Sequence, residues 1–305
     1  MNVMPRVAAA AVLLLLAAAV PAAAQEIDFT GSWVPIFHED GPERIPGPEL
    51  ADYTGLPINE AARLRADSYD ADRISSVSEY QCRQHAADYG MRGLANMRVT
   101  TDFDERTQRM TAIHTRINFH DAERTIHLDG RPHPPAEAAH SWAGFSTGTY
   151  DGNMLTIRTT HLKAYYIRRN GVPASDRRTL TEHWVRHGDV LTVVTMIDDP
   201  VFLTERLVRS QSWALDAGQR FGSNWCEYGV ELALAEDRVP NWLPGANPYL
   251  KEFSEWYGLP FEATRGGAET MYPEYRRTLK QTFSTAGKCT RYCTCFNANS
   301  GCDVR

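Results

Sequence analysis

The run WAGFSTGTYDGNMLTIRTTH, residues 142–161, decides the fold class. Its first half sets Gly144, Ser146, Gly148 and Tyr150 at alternate positions, its second half Leu155, Ile157 and Thr159, with Asp151-Gly152 between. A period of two puts each set on one face of a strand. Asp-Gly between such runs is a strong hairpin signal, because a type I′ turn needs positive φ at both central residues. An antiparallel strand pair is therefore expected here.

The same grammar extends outward. Strands are expected at residues 97–103, 109–119, 124–128, 143–150, 154–161, 178–186, 190–197, 205–213 and 226–234, with turns at 104–107, 129–130, 151–152 and 187–189. Each turn holds Asp, Gly or Thr, which tolerate the bend. A succession of eight or nine short strands with tight turns implies an all-β fold. We expect an antiparallel meander closing into a lipocalin-like barrel with short flanking helices, since closure removes unpaired edges. A strongly curved open sheet or a two-sheet sandwich is the rival. Upstream, residues 26–33 read as a short strand, 34–57 as a Pro- and Gly-rich wrapping segment, and 59–67 as a helix capped by Asn59. Downstream, a Pro/Gly linker precedes helices at 249–257 and 272–282, the second begun by Pro273.

Residues 1–25 have the make-up of a signal peptide: Arg6, an apolar run at 8–20, then Ala22-Ala23-Ala24. That run falls short of the roughly 20 residues a spanning helix needs. The expectation is a periplasmic or secreted protein with no membrane span. The rest divides into a wrapping segment at 26–96, a barrel domain at 97–235, a linker with helices at 236–284 and a cysteine-rich tail at 285–305. A net charge of −6 without a dense basic cluster argues against nucleic acid. No phosphate-cradling loop, HExxH or dinucleotide fingerprint occurs, so no cofactor is expected.

Of six cysteines, Cys82 and Cys226 lie in the body and Cys289, Cys293, Cys295 and Cys302 crowd the tail. In an oxidising compartment Cys82 pairs with Cys226, the alternative being two buried thiols. The tail forms two disulfides or, as a lesser reading, one four-thiolate zinc or copper site.

Alternation places His114, Arg116, Asn118 and His120 on one face, and sets His183 opposite Glu182 and Trp184. Polar faces turned inward would bring His114, His120, His183 and Glu182 together with Arg131 for acid–base catalysis, and Arg116 and Asn118 for ligand binding. Polar faces turned outward would leave them in solvent. His114 and His120 are roughly 20 Å apart along a strand, too far to share a metal ion. His133, held between two prolines beside Arg131, and His161 with Lys163 are further candidates for ligand contacts. Gly144-Phe145-Ser146-Thr147-Gly148 fits GxSxG, yet an esterase elbow needs a strand, a strained turn and a helix, and this serine runs into a hairpin.

Asp129-Gly130-Arg131-Pro132-His133-Pro134, then Gly144, Ser146 and Gly148 with the following turn, then Ser175-Asp176, Glu182 and Asp198-Asp199-Pro200, form a recurrent pattern. It resembles that of a family of exported bacterial proteins of unknown function: DGRPHP, GxSxGxWEGDTLVVxT, an SD…TER block and a DDP turn. The resemblance spans residues 129–204. Tyr150, Asp151, Asn153 and Met154 stand where the family has Trp, Glu, Asp and Thr. It implies a calycin-like barrel and carries no activity.

The seven Trp, 13 Tyr and 11 Phe suffice for an aromatic-walled cavity. The functional expectation is an exported barrel whose partner is a small, largely apolar ligand. The alternatives are a lyase, isomerase or hydrolase built on the histidines and Glu182, or a carrier of the cysteine-rich tail.

Overall fold

A computed structural model describes residues 27–36, 49–70, 73, 78–222, 226–230 and 239–279. Nine strands close into one barrel: β1 (Gly31–Ile36), β2 (Met97–Phe103), β3 (Met110–Ile117), β4 (Ala122–His127), β5 (Phe145–Asp151), β6 (Met154–Thr160), then β9 (Thr179–His187), β10 (Val190–Asp198) and β11 (Leu207–Leu215). A two-stranded excursion, β7 (Tyr165–Arg168) and β8 (Val172–Ala174), interrupts the run. Around the barrel the order is β1-β11-β10-β9-β6-β5-β4-β3-β2. The all-β closed barrel is thus observed, with three departures from the expected meander.

The first departure is the closing strand. Residues 226–230 form no strand, and 231–234 lie outside the described residues. Instead β1 pairs with both β11 and β2, Trp33 facing Leu215 on one side and Met97 on the other. Trp33 explains the choice: it is fully buried and its indole N–H donates to the Phe29 carbonyl at 2.9 Å. Pairing with β2 ends at Trp33, so Pro35, which has no N–H, falls beyond that ladder. Cys226 is tethered by the disulfide to Cys82 and Gly229 N–H donates to the Tyr80 carbonyl at 2.8 Å, while Tyr228 and Val230 face solvent.

The second is the β4–β5 pair, which is parallel, with Ile126 opposite Ser146. Parallel neighbours need a crossover, and residues 128–144, holding the DGRPHP run, supply it. The third is the turn chemistry. Asp151 pairs with Met154, so Gly152-Asn153 is the two-residue loop; φ is +56° at Gly152 and not positive at Asn153. That is the signature of a type II′ turn rather than type I′.

Two apolar clusters build the core. One fills the barrel, with Trp33, Trp184 and Trp213 fully buried among Met97, Ile113, Ile126, Leu155 and Val193. The other caps one end, where Tyr53, Leu56, Ile58, Ala62 and Ala66 meet Leu162, Ile167, Leu180 and Leu203. Helix α1 (Glu60–Asp67) supplies two of these, and Asn59 caps it as expected, Ala62 N–H donating to Asn59 Oδ1 at 3.0 Å. The short helix α2 (Ala87–Gly90) is tied down by a fully buried bidentate pair, Arg178 with Asp88, at 3.0 Å on both arms. The C-terminal helices are α3 (Glu252–Tyr257) and α4 (Pro273–Thr278), each shorter than predicted; residues 280–282 lie outside the described chain. Among the described residues no helix is long and apolar enough to cross a membrane.

Candidate functional site

Most buried strand positions are apolar, and a smaller set of polar side chains is buried among them. Arg124 reaches across from β4: Nε donates to Ser146 Oγ at 2.9 Å, Nη2 to Thr159 Oγ1 at 2.6 Å and to the Glu182 carboxylate. Glu182, Ser146, Thr159, Trp184 and Trp213 have no accessible surface, so no water-sized space adjoins them. Among the described residues, Arg124 Nη1, Glu182 Oε1 and the indole N–H groups of Trp184 and Trp213 find no partner. This is a sealed polar layer tying four strands together. It also explains the GxSxG run. Ser146 serves Arg124, and a Cβ on Gly148 would meet Leu128 Cδ2 at 2.8 Å.

His114, Arg116 and His183 occupy the outer face. His114 contacts Asp102 at 2.7 Å and Thr125 at 3.1 Å, Arg116 pairs with Asp121 at 2.9 Å, and His183 contacts Thr156 at 3.0 Å. Asn118 follows them into the β3–β4 turn, its N–H donating to the Asn96 carbonyl at 2.9 Å. From β3 to β9 is four strand spacings, about 19 Å along the sheet. His114, His183 and the interior Glu182 therefore share no site.

The crossover lies against the outer face of β5 and β6 and builds a hydrogen-bond chain. His161 Nε2 meets the Pro135 carbonyl at 2.9 Å, an acceptor only, so Nε2 carries the proton. His161 Nδ1 contacts Thr160 Oγ1 at 2.7 Å, Thr160 Oγ1 contacts His133 Nδ1 at 2.7 Å, and His133 Nε2 contacts Thr147 Oγ1 at 2.9 Å. Burial, then Arg158 and His161, lower the His133 pKa. Arg131 is bound by Asp129 two residues back, at 2.9 Å and 2.5 Å.

A different set converges at the capped end of the barrel. His85, 3% exposed, lies just before α2, Tyr89 within it, Phe119 and His120 in the β3–β4 turn, Trp142 before β5, and Tyr165 and Tyr166 on β7. The segments lock together through Ala87 N–H donating to the Trp142 carbonyl at 3.1 Å and a parallel bridge between Ser141 and Leu162. Ring contacts run without a break: Trp142 to Tyr165 at 5.5 Å, Tyr165 to Tyr166 at 4.1 Å, Tyr166 to Tyr89 at 4.7 Å, Tyr89 to His85 at 4.8 Å and His85 to Phe119 at 5.0 Å. Trp142, Tyr165 and Tyr166 are half-buried, and Lys163 Nζ stands 5.1 Å over the Trp142 ring.

Within this wall His85 Nδ1 meets Tyr165 Oη at 2.8 Å, and Tyr165 donates to Tyr166 Oη at 3.1 Å. The Tyr165 proton being so used, His85 Nδ1–H is the donor and Nε2 keeps the lone pair. Burial, then the charges of His120, Arg169 and Arg92, push the His85 pKa down to about 3. The imidazole stays neutral at any physiological pH. Of the sequence candidates, His120 and Lys163 reach this cluster. His85 and the three tyrosines follow no local period; the adjacent Tyr165-Tyr166 pair is the one visible hint.

The SD and DDP motifs act together elsewhere. Asp199 accepts from Ser175 N–H and Oγ, both at 2.7 Å, and from Val201 N–H at 3.0 Å. Beside this clamp a cleft of about 440 Å³ is lined by Arg177, Leu203, Glu205 and Arg206. The tail cysteines Cys289, Cys293, Cys295 and Cys302 lie outside the described residues.

No family model matches this chain, and no curated protein does. Among solved structures the chain is similar to the wild-type fluorescent protein UnaG at 12% identity and a TM-score of 0.28, over 62% of this chain and 97% of that one.

Proposed function

We propose that this chain is a small-molecule-binding barrel that takes its ligand at the capped end, against Trp142, Tyr165 and Tyr166, rather than in the sealed interior. The observation that carries this reading is the neutral His85–Tyr165–Tyr166 hydrogen-bond chain set in a half-exposed aromatic wall. Such walls hold flat, largely apolar molecules, and a few fixed polar groups orient them. Lys163, lying over Trp142, suits an anionic substituent. An imidazole held near pKa 3 is a poor general base at neutral pH, which favours binding over acid–base catalysis. The leader-like residues 1–25 and the Cys82–Cys226 disulfide support an exported protein.

Anilinonaphthalene sulfonate, a flat apolar anion, is the test probe, followed by its fluorescence and by quenching of tryptophan emission. Tyr165→Ala should weaken binding by about tenfold or more, whereas Glu182→Gln should leave the affinity of the folded protein unchanged. Undiminished binding by Tyr165→Ala would refute the location.

A further inference from the structure

Beyond the aromatic wall, three potential metal ligands from distant parts of the chain meet at the same end of the barrel. Cys82 follows the 3₁₀ turn Ser78–Gln81, His120 sits in the β3–β4 turn, and Cys226 comes after β11. Cys82 Sγ, Cys226 Sγ and a ring nitrogen of His120 all lie within 4.8 Å of one another, and all three residues are half-buried. The His85 ring centroid is 6.2 Å from that of His120.

We propose that reduction of the Cys82–Cys226 disulfide converts this corner into a zinc site, with the two thiolates and the His120 imidazole as ligands. The reductant is an external dithiol: its two thiols become a disulfide, and the two electrons and two protons pass to Cys82 and Cys226. Zinc then displaces both thiol protons, and His120 binds as the neutral ring.

The geometry fits. Tetrahedral zinc with ordinary Zn–S and Zn–N bonds holds such ligand atoms about 3.6–3.8 Å apart, and the His120 nitrogen lies within 4.8 Å of both sulfurs. The bonded sulfurs must separate, and with Cα atoms 5.7 Å apart side-chain rotation accomplishes this. Two thiolates and an imidazole select a soft or borderline ion over magnesium or calcium. Three protein ligands leave a fourth position for water or an added ligand, next to the aromatic wall. The ion would also take over the cross-link between segments 144 residues apart, so the reduced chain would keep its cap. This proposal stands independently of the ligand reading.

The test uses the full-length chain with Cys289, Cys293, Cys295 and Cys302 all changed to Ser, so that the tail offers no thiols. The protein is reduced with a dithiol, freed of it without air, and titrated with zinc alone; bound metal is read by native mass spectrometry and the melting temperature is followed in parallel. The reduced chain should take up a single zinc ion and melt higher with it, and the oxidised chain none. Cys82→Ser and His120→Ala should each abolish uptake, and His120→Cys should restore it. His120→Ala keeps the disulfide, so its fold is checked by circular dichroism in the oxidised form. Equal uptake by the oxidised chain, no uptake by the reduced one, or undiminished binding by folded His120→Ala would overturn the proposal.

Discussion

Replacing Glu182 by Leu tests the sealed polar layer most directly. Glu182 has no side-chain exposure and Arg124 only 5%, so the substitution strands a guanidinium in an apolar interior with Ser146 and Thr159 as remaining acceptors. Breaking a buried pair from one side costs about 3–5 kcal/mol. For a domain of this size that corresponds to a melting temperature lower by about 6–20 °C, at about 2–4 °C per kcal/mol. The double variant Arg124→Met with Glu182→Leu should recover most of the loss. In the parent, Arg124 Nη1 and Glu182 Oε1 already find no partner among the described residues, so the pair contributes less than its Coulomb attraction suggests. Urea unfolding of parent, both single variants and the double variant, followed by far-UV circular dichroism, yields the coupling energy. A Glu182→Leu cost within about 1 kcal/mol of the parent, or a double variant no better than the singles, would refute the reasoning.

His85 predicts a pH dependence. The unfolded chain protonates it near pH 6.5 and the folded chain only near about 3. Its contribution is therefore complete above pH 6.5 and falls as the solution is acidified, by about 1.4 kcal/mol per pH unit. His85→Gln should flatten that slope relative to the parent in urea midpoints at pH 7, 6 and 5; identical slopes would count against burial as the cause. Asp199→Ala removes the acceptor for two Ser175 donors and Val201 N–H, and thermal melts should show a loss of about 2–3 kcal/mol. Gly144→Ala puts a Cβ 2.6 Å from the Thr160 carbonyl at φ +69°, so it should cost more than about 1 kcal/mol in the same assay; an unchanged melt would mean that the β5–β6 edge yields freely.

The strands were legible because a half-buried strand writes its two faces in alternation, and that signal is local. It located β2, β3, β6, β9 and β10 closely and put Glu182 and Trp184 on the face opposite His183, which is how they stand in the barrel. The Asn59 cap was readable for the same reason, since a helix end is satisfied by residues three apart. Alternation does not say which face turns inward at His114 and Arg116. Packing decided that, because Ile113, Thr115 and Ile117 bury at less cost than charged neighbours.

The amino-acid sequence by itself determined that this chain makes many short, turn-linked strands with enough apolar faces to close a barrel. Tertiary structure alone decided that β1 stands beside β11, that β4 and β5 run parallel, and that residues 82, 85, 120, 142, 165 and 226 gather at one end. The physical reason is range. A period of two or a helix cap is settled among neighbours in the chain, whereas a meeting of loops is settled by which segment can best bury its large side chains once the barrel exists.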